Sequence, residues 1–351
     1  MGANIPRRGR GASDNPVNRF ESLAYERDPE LADDDPPSVQ TQFFRDASKS
    51  ALSKNDSPDI PFKFSLNPYR GCEHGCIYCY ARPTHEYLGF SAGLDFETRI
   101  MVKEDAPDLL RDELSSRKWT PQPIIVSGVT DPYQPIERKL ELTRRCLEVF
   151  QEFRNPVAII TKNRLVARDV DILADLARDG AAQVAVSVTT LNPELARILE
   201  PRTSLPKQRL DTIRELSGAG VPVSVMMAPM TPGLNDSEIP EVLAAVSEAG
   251  AKAASYVMLR LPHAVAPLFE QWLDQHKPDA KDKILNRLRG MRGGDLYKAE
   301  FGKRMRGEGI HADQIAQLFE VASRKYGLDK TSMDLSVDAF RRPGGSQMPL
   351  F

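Results

Sequence analysis

The chain has 351 residues, 41% of them apolar, with 47 Lys and Arg against 49 Asp and Glu and a formal net charge of −2. No apolar run reaches the roughly 18 residues a membrane span needs, which argues against a membrane-spanning chain. The near-zero charge argues neither for nor against nucleic acid, because a local basic channel is masked in the sum. Residues 1–12 are Gly- and Arg-rich without the apolar stretch of a signal peptide, so the cytoplasm is the expected location. Three of the four cysteines are clustered. In a reducing compartment such a cluster reads as a metal site and not as a disulfide framework.

Residues 1–60 are rich in Pro, Asp, Ser, Asn and Arg and lack any helical or strand period. They read as a mostly disordered arm. Its early arginines, Arg7, Arg8 and Arg10, either touch a polyanion or are simply solvated. From residue 61 short apolar strands alternate with amphipathic helices. Strands are expected at 62–66, 123–129, 156–161, 183–189, 221–228 and 253–259. Helices are expected at 137–150, 166–178, 193–199, 207–219 and 238–249. This rhythm implies βαβ units and a parallel sheet, and six strands suit an α/β partial (β/α)6 barrel of the TIM type over residues 61–262. Right-handed crossovers then place every strand's C-terminal end on one rim. That rim gathers Cys72, Thr130 and Asp131, Lys162, Ser187 and Arg260. Residues 263–335 read as a helical C-terminal extension, with helices at 264–275, 280–289 and 312–326, and residues 336–351 as a flexible tail.

Cys72, Cys76 and Cys79 follow the first strand with the spacing C-x3-C-x2-C. Thiolates this close need an irregular loop, because helices and strands send successive side chains apart. Gly71 and Gly75 supply the backbone freedom. Three cysteines suit one [4Fe–4S] cluster with its fourth iron open. The rival is a Cys3His zinc site completed by His74 or His85, although structural zinc sites usually pair two knuckles and only one is present.

These residues resemble the radical SAM superfamily, whose hallmark is C-x3-C-x2-C with an aromatic before the last cysteine, here Tyr78. The flanking Asn67, Pro68, Tyr69, Arg70 and Gly71, and Tyr80, Ala81 and Arg82, look like its spore-photolyase-like branch. The resemblance implies a [4Fe–4S] cluster and S-adenosyl-L-methionine (SAM) as cofactors. It also implies reductive cleavage of SAM to a 5′-deoxyadenosyl radical that abstracts hydrogen from substrate, with flavodoxin or ferredoxin as reducing partner. Carried over by position, Tyr78 flanks the adenine. Residues 127–131 hold the methionine amine, through Thr130 and Asp131 or through backbone carbonyls. Lys162 pairs the SAM carboxylate, and Ser187 lies near the ribose or carboxylate. The plainer alternatives are an Asx-capped turn at Asp131 and a solvated strand end at Lys162.

Spore photolyase returns a hydrogen atom from a cysteine at the end of strand two, and none stands there in this chain. The remaining thiol, Cys146, falls inside a helix and reads as core. Tyr78 and Tyr80, with Tyr133, are the candidates for relaying hydrogen. Arg82, His85, Arg202 and Arg260 line the mouth for an anionic substrate or make ordinary loop ion pairs. The substrate is unidentified, with nucleic acid the expected class and DNA repair or modification the expected setting. The other reading is a nucleic-acid- or clamp-associated binding protein with a structural cluster. The tail ends in Gln347, Met348, Pro349, Leu350 and Phe351, and resembles the short peptide that holds the DNA sliding clamp. A monomer is expected.

Overall fold

The computed structural model describes residues 6–21, 39–329 and 335–343. Among the described residues ten strands form in chain order: β1 (Gln42–Arg45), β2 (Leu52–Lys54), β3 (Phe64–Leu66), β4 (Tyr69–Arg70), β5 (Arg99–Val102), β6 (Ile124–Val126), β7 (Val157–Thr161), β8 (Ala182–Ser187), β9 (Val223–Met230) and β10 (Ala253–Met258). The main sheet runs β10-β9-β8-β7-β6-β3-β2. From β3 to β10 every neighbouring pair is parallel, and β2 is added antiparallel on the edge of β3. The six expected strands are therefore present in one parallel sheet. Among the described residues β2 and β10 are its edge strands and do not pair with each other, so the barrel is partial and open.

The crossovers carry the helices. Between β3 and β6 lie α1 (Leu94–Thr98) and α2 (Ala106–Ser115), and between β6 and β7 lie α3 (Glu137–Leu140) and α4 (Leu142–Phe153). The helix expected at 137–150 is thus two helices, broken where Glu141 adopts a left-handed φ of 49°. Then come α5 (Val170–Arg178), α6 (Pro193–Leu199), α7 (Pro206–Gly218) and α8 (Ile239–Glu248). Strand side chains alternate. In β8 and β9, Val184, Val186, Val223, Val225 and Met227 are buried in one core with Leu173, Ile213, Leu216, Val242 and Val246 of the helices. The other face carries Ala185, Ser187, Ser224, Met226 and Ala228. These are mostly small, so they leave the concave side of the sheet open where a closed barrel would fill it with branched side chains.

The reading of residues 1–60 as a disordered arm needs correction for the described parts. β1 pairs parallel with β5, and β4 pairs antiparallel with the same strand, forming a second, three-stranded sheet. β2 completes the main sheet. Upstream, Ala12 is buried and the backbone N–H groups of Gly11 and Ala12 donate to the Glu97 carboxylate. These contacts pair residues tens of positions apart, which local composition does not report.

The C-terminal extension is likewise part of the body. Helices α9 (Val265–His276) and α10 (Lys281–Gly290) bury Phe269, Trp272, Leu273 and Ile284 in one cluster with Cys76, Ile77, Tyr78 and Leu199. Helix α11 (Ile310–Lys325) packs Phe319 on Tyr256 of β10, ring centroids 4.7 Å apart. Residues 336–343, expected in a flexible tail, run along the body: the Arg341 N–H donates to the Phe153 carbonyl at 2.8 Å, and Phe340 lies 6.5 Å from the Phe153 ring. Gln347, Leu350 and Phe351 lie outside the described residues.

Candidate active site around the cysteine loop

The cysteine loop starts at Gly71, between the two sheets, because β4 has already turned away from the barrel to join β5. Its backbone is held from every side. The Cys72 N–H donates to Phe96 O at 2.8 Å, the Ile77 N–H to Leu199 O at 3.1 Å and the Cys79 N–H to Cys76 O at 3.2 Å. The Glu73 N–H donates to Gln134 Oε1 at 2.9 Å. Beneath the loop the fully buried Arg82 donates from Nε and Nη2 to the Cys76 carbonyl. Its charge is met by Glu97 at 2.5 Å, also fully buried. Gly11 closes against Gly75, where an added Cβ would fall 1.8 Å from the Gly75 oxygen.

Cys72 and Cys76 are buried and Cys79 is partly exposed. Burial pushes the Cys76 and Cys79 thiols up, a penalty that bound iron reverses by holding the thiolate form. Soft sulfur donors on one irregular loop fit an iron–sulfur cluster that takes its last ligand from elsewhere. The zinc alternative fares worse. Among the described residues no three His, Cys, Asp or Glu side chains are grouped to hold a single ion. His74 lies beside Cys72, but its ring nitrogens are already engaged by Asp131, 3.4 Å from Nδ1, and Asn163, 3.1 Å from Nε2. His85 is buried between Phe90 and Phe96.

Tyr78 and Lys162 come together over an acid that pattern reading passed by. Lys162 Nζ lies 5.8 Å from the Tyr78 ring centroid and 3.4 Å from Glu200 Oε1, and donates to Ala228 O at 2.9 Å. Glu200 is buried and accepts from the Tyr78 hydroxyl, from Thr189 Oγ1 at 2.7 Å and from Arg209. Although burial opposes its charge, Arg209 and Lys162 hold the Glu200 carboxyl well below the usual carboxylate range. Arg209 also donates to the Ser187 carbonyl at 3.0 Å, tying Ser187 into the same network. Glu200 sits just past α6 with no periodic signal. Its only mark in the sequence is an acid two positions before Arg202.

Asp131 is engaged on both oxygens. One accepts from the Tyr133 N–H and Thr161 Oγ1, the other from the Lys162 N–H and faces His74. It therefore braces three strand-end segments. Thr130 donates its hydroxyl to Tyr69 O at 2.9 Å. Upstream, Ser127 and Gly128 both have positive φ, 143° and 109°, a conformation costly for a serine and kept where surrounding contacts impose it. Tyr80 is 46% exposed, and its hydroxyl donates to the Gly128 carbonyl. Of the proposed mouth cations, Arg82 is buried, and Arg202 is paired with Glu73 at 3.2 Å. Arg260 stays at the lip, 4.1 Å from the Tyr80 ring centroid.

A parallel partial barrel with three cysteines on one rim loop defines a class of SAM-dependent iron–sulfur enzymes, and the family comparison agrees. The Radical SAM superfamily model matches residues 66–246, just over half of the chain, and the chain belongs to that superfamily, whose members hold a [4Fe–4S] cluster and SAM. An uncharacterised protein of Mycobacterium tuberculosis strain H37Rv is 37% identical over 234 residues, covering 66% of this chain and 69% of that protein. Among solved structures, a mutant of spore photoproduct lyase matches with TM-score 0.59 at 15% identity, over 84% of this chain and 82% of its own. Spore photoproduct lyase complexed with dinucleoside spore photoproduct matches with TM-score 0.58 at 15% identity, over 81% and 79%. At that identity the likeness is one of fold.

Proposed function

We propose that this chain abstracts hydrogen from a nucleic-acid substrate at the mouth formed by Cys72, Cys76, Cys79, Lys162 and Tyr80. The observation that carries the reading is the cysteine loop lying on the same rim as the Lys162–Glu200–Tyr78 network. When bound, the cluster and SAM supply reductive cleavage of the sulfonium and a carbon radical that takes a hydrogen atom. The three cysteines hold the cluster. Lys162 offers a cation to the SAM carboxylate, steered by Glu200, and Ser187 lines the same wall. Asp131 holds the loop after β6 in place, leaving the backbone carbonyls of residues 127–129 to meet the methionine amine. Tyr78 packs its ring beside the purine, with its hydroxyl committed to Glu200. Tyr80 faces the mouth, which makes it the better placed of the two for moving a hydrogen atom. The small residues on the concave face leave room for substrate, and α9 and α10 exclude water behind the loop.

The nucleic-acid assignment is supported by the fold shared with spore photoproduct lyase, one solved form of which holds a dinucleoside spore photoproduct. Flavodoxin or ferredoxin as electron donor, a cytoplasmic monomer, and clamp binding through residues 347–351 complete the proposal; among the described residues no helix is long and apolar enough to cross a membrane. The test is anaerobic, reconstituted protein with dithionite and SAM. Release of 5′-deoxyadenosine, carrying deuterium from a labelled nucleic acid, is expected. Fully loaded protein that releases none sinks the radical reading in favour of a binding protein with a structural cluster. Release without label from any nucleic acid removes the substrate class.

A further inference from the structure

Three guanidinium groups lie together at the lip beyond β10. Arg292, 2% exposed, donates from Nη2 to Leu259 O at 2.8 Å and from Nη1 to Arg304 O at 3.0 Å. It thereby fixes the chain on either side of the lip and sets the position of Arg260. Arg304 is met by Asp59 at 2.5 Å, and the same carboxylate accepts from the Gly302 N–H at 2.7 Å. Asp59 is therefore already engaged. Arg260, whose charge both Asp59 and Arg292 feel, makes no ion pair among the described residues. Its guanidinium carbon instead lies over the ring of Tyr80, the residue after Cys79, 4.1 Å from the centroid. Of the other rim cations, Arg82 is paired with Glu97, Arg202 with Glu73, and Lys162 with the Glu200 that steers it. Three guanidinium groups against the one carboxylate of Asp59 leave a net positive potential at this spot of the mouth.

We propose that Arg260, held over the ring of Tyr80, is a phosphate-binding residue that seats the substrate beside the cysteine loop. The planar guanidinium suits bidentate contact with phosphate oxygens, and cation–π contact with the ring orients it before the ligand arrives. This inference rests on the nucleic-acid reading above and narrows it to one contact. The phosphate comes either from a nucleic-acid backbone or from a free nucleotide.

The experiment measures binding of a labelled single-stranded oligodeoxynucleotide to cluster-loaded protein across a salt series, for wild type, Arg260→Gln and Arg260→Lys. Loss of one phosphate contact weakens binding about tenfold and lowers the salt slope by about 1. The Gln variant is expected to show both, and the Lys variant to keep the slope with part of the affinity. On wild-type protein, thymidine 5′-phosphate is expected to compete with the oligonucleotide while thymidine does not. Binding of the nucleotide but not the oligonucleotide supports the phosphate seat and removes the nucleic-acid reading. Unchanged affinity and slope in Arg260→Gln, or wild type that binds neither probe, overturns the inference.

Discussion

Lys162, on the rim after β7, and the buried Glu200, just past α6, form an ion pair of 3.4 Å beside the ring of Tyr78. The pair does not stand alone, since Arg209 meets the other Glu200 oxygen and Thr189 hydrogen-bonds the first. Removing the acid leaves the buried Arg209 and the partly buried Lys162 without their counter-charge. Glu200→Ala is therefore expected to destabilise the fold by about 3–5 kcal/mol, read by anaerobic urea denaturation. Lys162→Met, which removes the cation of the pair, is expected to raise the KM for SAM by at least about tenfold, the worth of one charged hydrogen bond. An unchanged KM would show that Lys162 serves Glu200 alone.

His85 gives a pH signature. Among the described residues neither ring nitrogen has a hydrogen-bond partner, and burial pushes the imidazole down to about 4. Between pH 6.5 and 4 the unfolded chain takes up a proton that the folded chain refuses. This contribution to stability is therefore present above 6.5 and is lost as pH falls towards 4, by about 2–3 kcal/mol. His85→Leu sacrifices no hydrogen bond. Its stability relative to wild type should rise by that amount over the same window, and a difference that does not vary with pH refutes the assignment.

The four thiols separate cleanly. Cys146, in α4, is fully buried in the main core away from the loop. Cys146→Ala should keep full iron and sulfide content and cost about 1–2 kcal/mol from the lost packing. Cys72→Ala, Cys76→Ala and Cys79→Ala should each abolish cluster loading. Iron and sulfide analysis of reconstituted protein decides between these outcomes.

The upstream segment should matter to the cluster although it contributes no ligand. Gly11→Ala places a carbon 1.8 Å from the Gly75 oxygen, so the segment must lift from the loop. Glu97 then loses the two N–H donors of Gly11 and Ala12 while still facing Arg82 in a dry site. Faster loss of the visible iron–sulfur absorbance to a chelator is expected. Equal rates in wild type and variant would show that the loop holds its shape unaided.

Much of this protein could be read from local pattern. The six core strands, the crossover helices after β6 and the cysteine loop each carry a short-range signal, whether a β-branched run, a helical period or a fixed spacing of thiols, whereas α1 and α2 were not expected. The second sheet was not legible. β1 and β5 are four residues each, β4 only two, and their pairing joins residues 42–45 to 99–102, so no window of sequence contains the reason they form.

The same division runs through the site. Spacing alone marked Cys72, Cys76 and Cys79, because a cluster demands thiols on one short loop and the chain can place them there locally. Which charges remain available around that loop was decided by tertiary structure. Arg82 and Arg202 look like mouth residues in the sequence, yet folding brings Glu97 and Glu73 to them from other elements. Glu200, unmarked by any period, becomes the centre of the network because α6 and β8 deliver it beneath Tyr78. A residue's charge is written in the chain, but its counter-charge is chosen by packing, and so only the fold left Arg260 open at the lip.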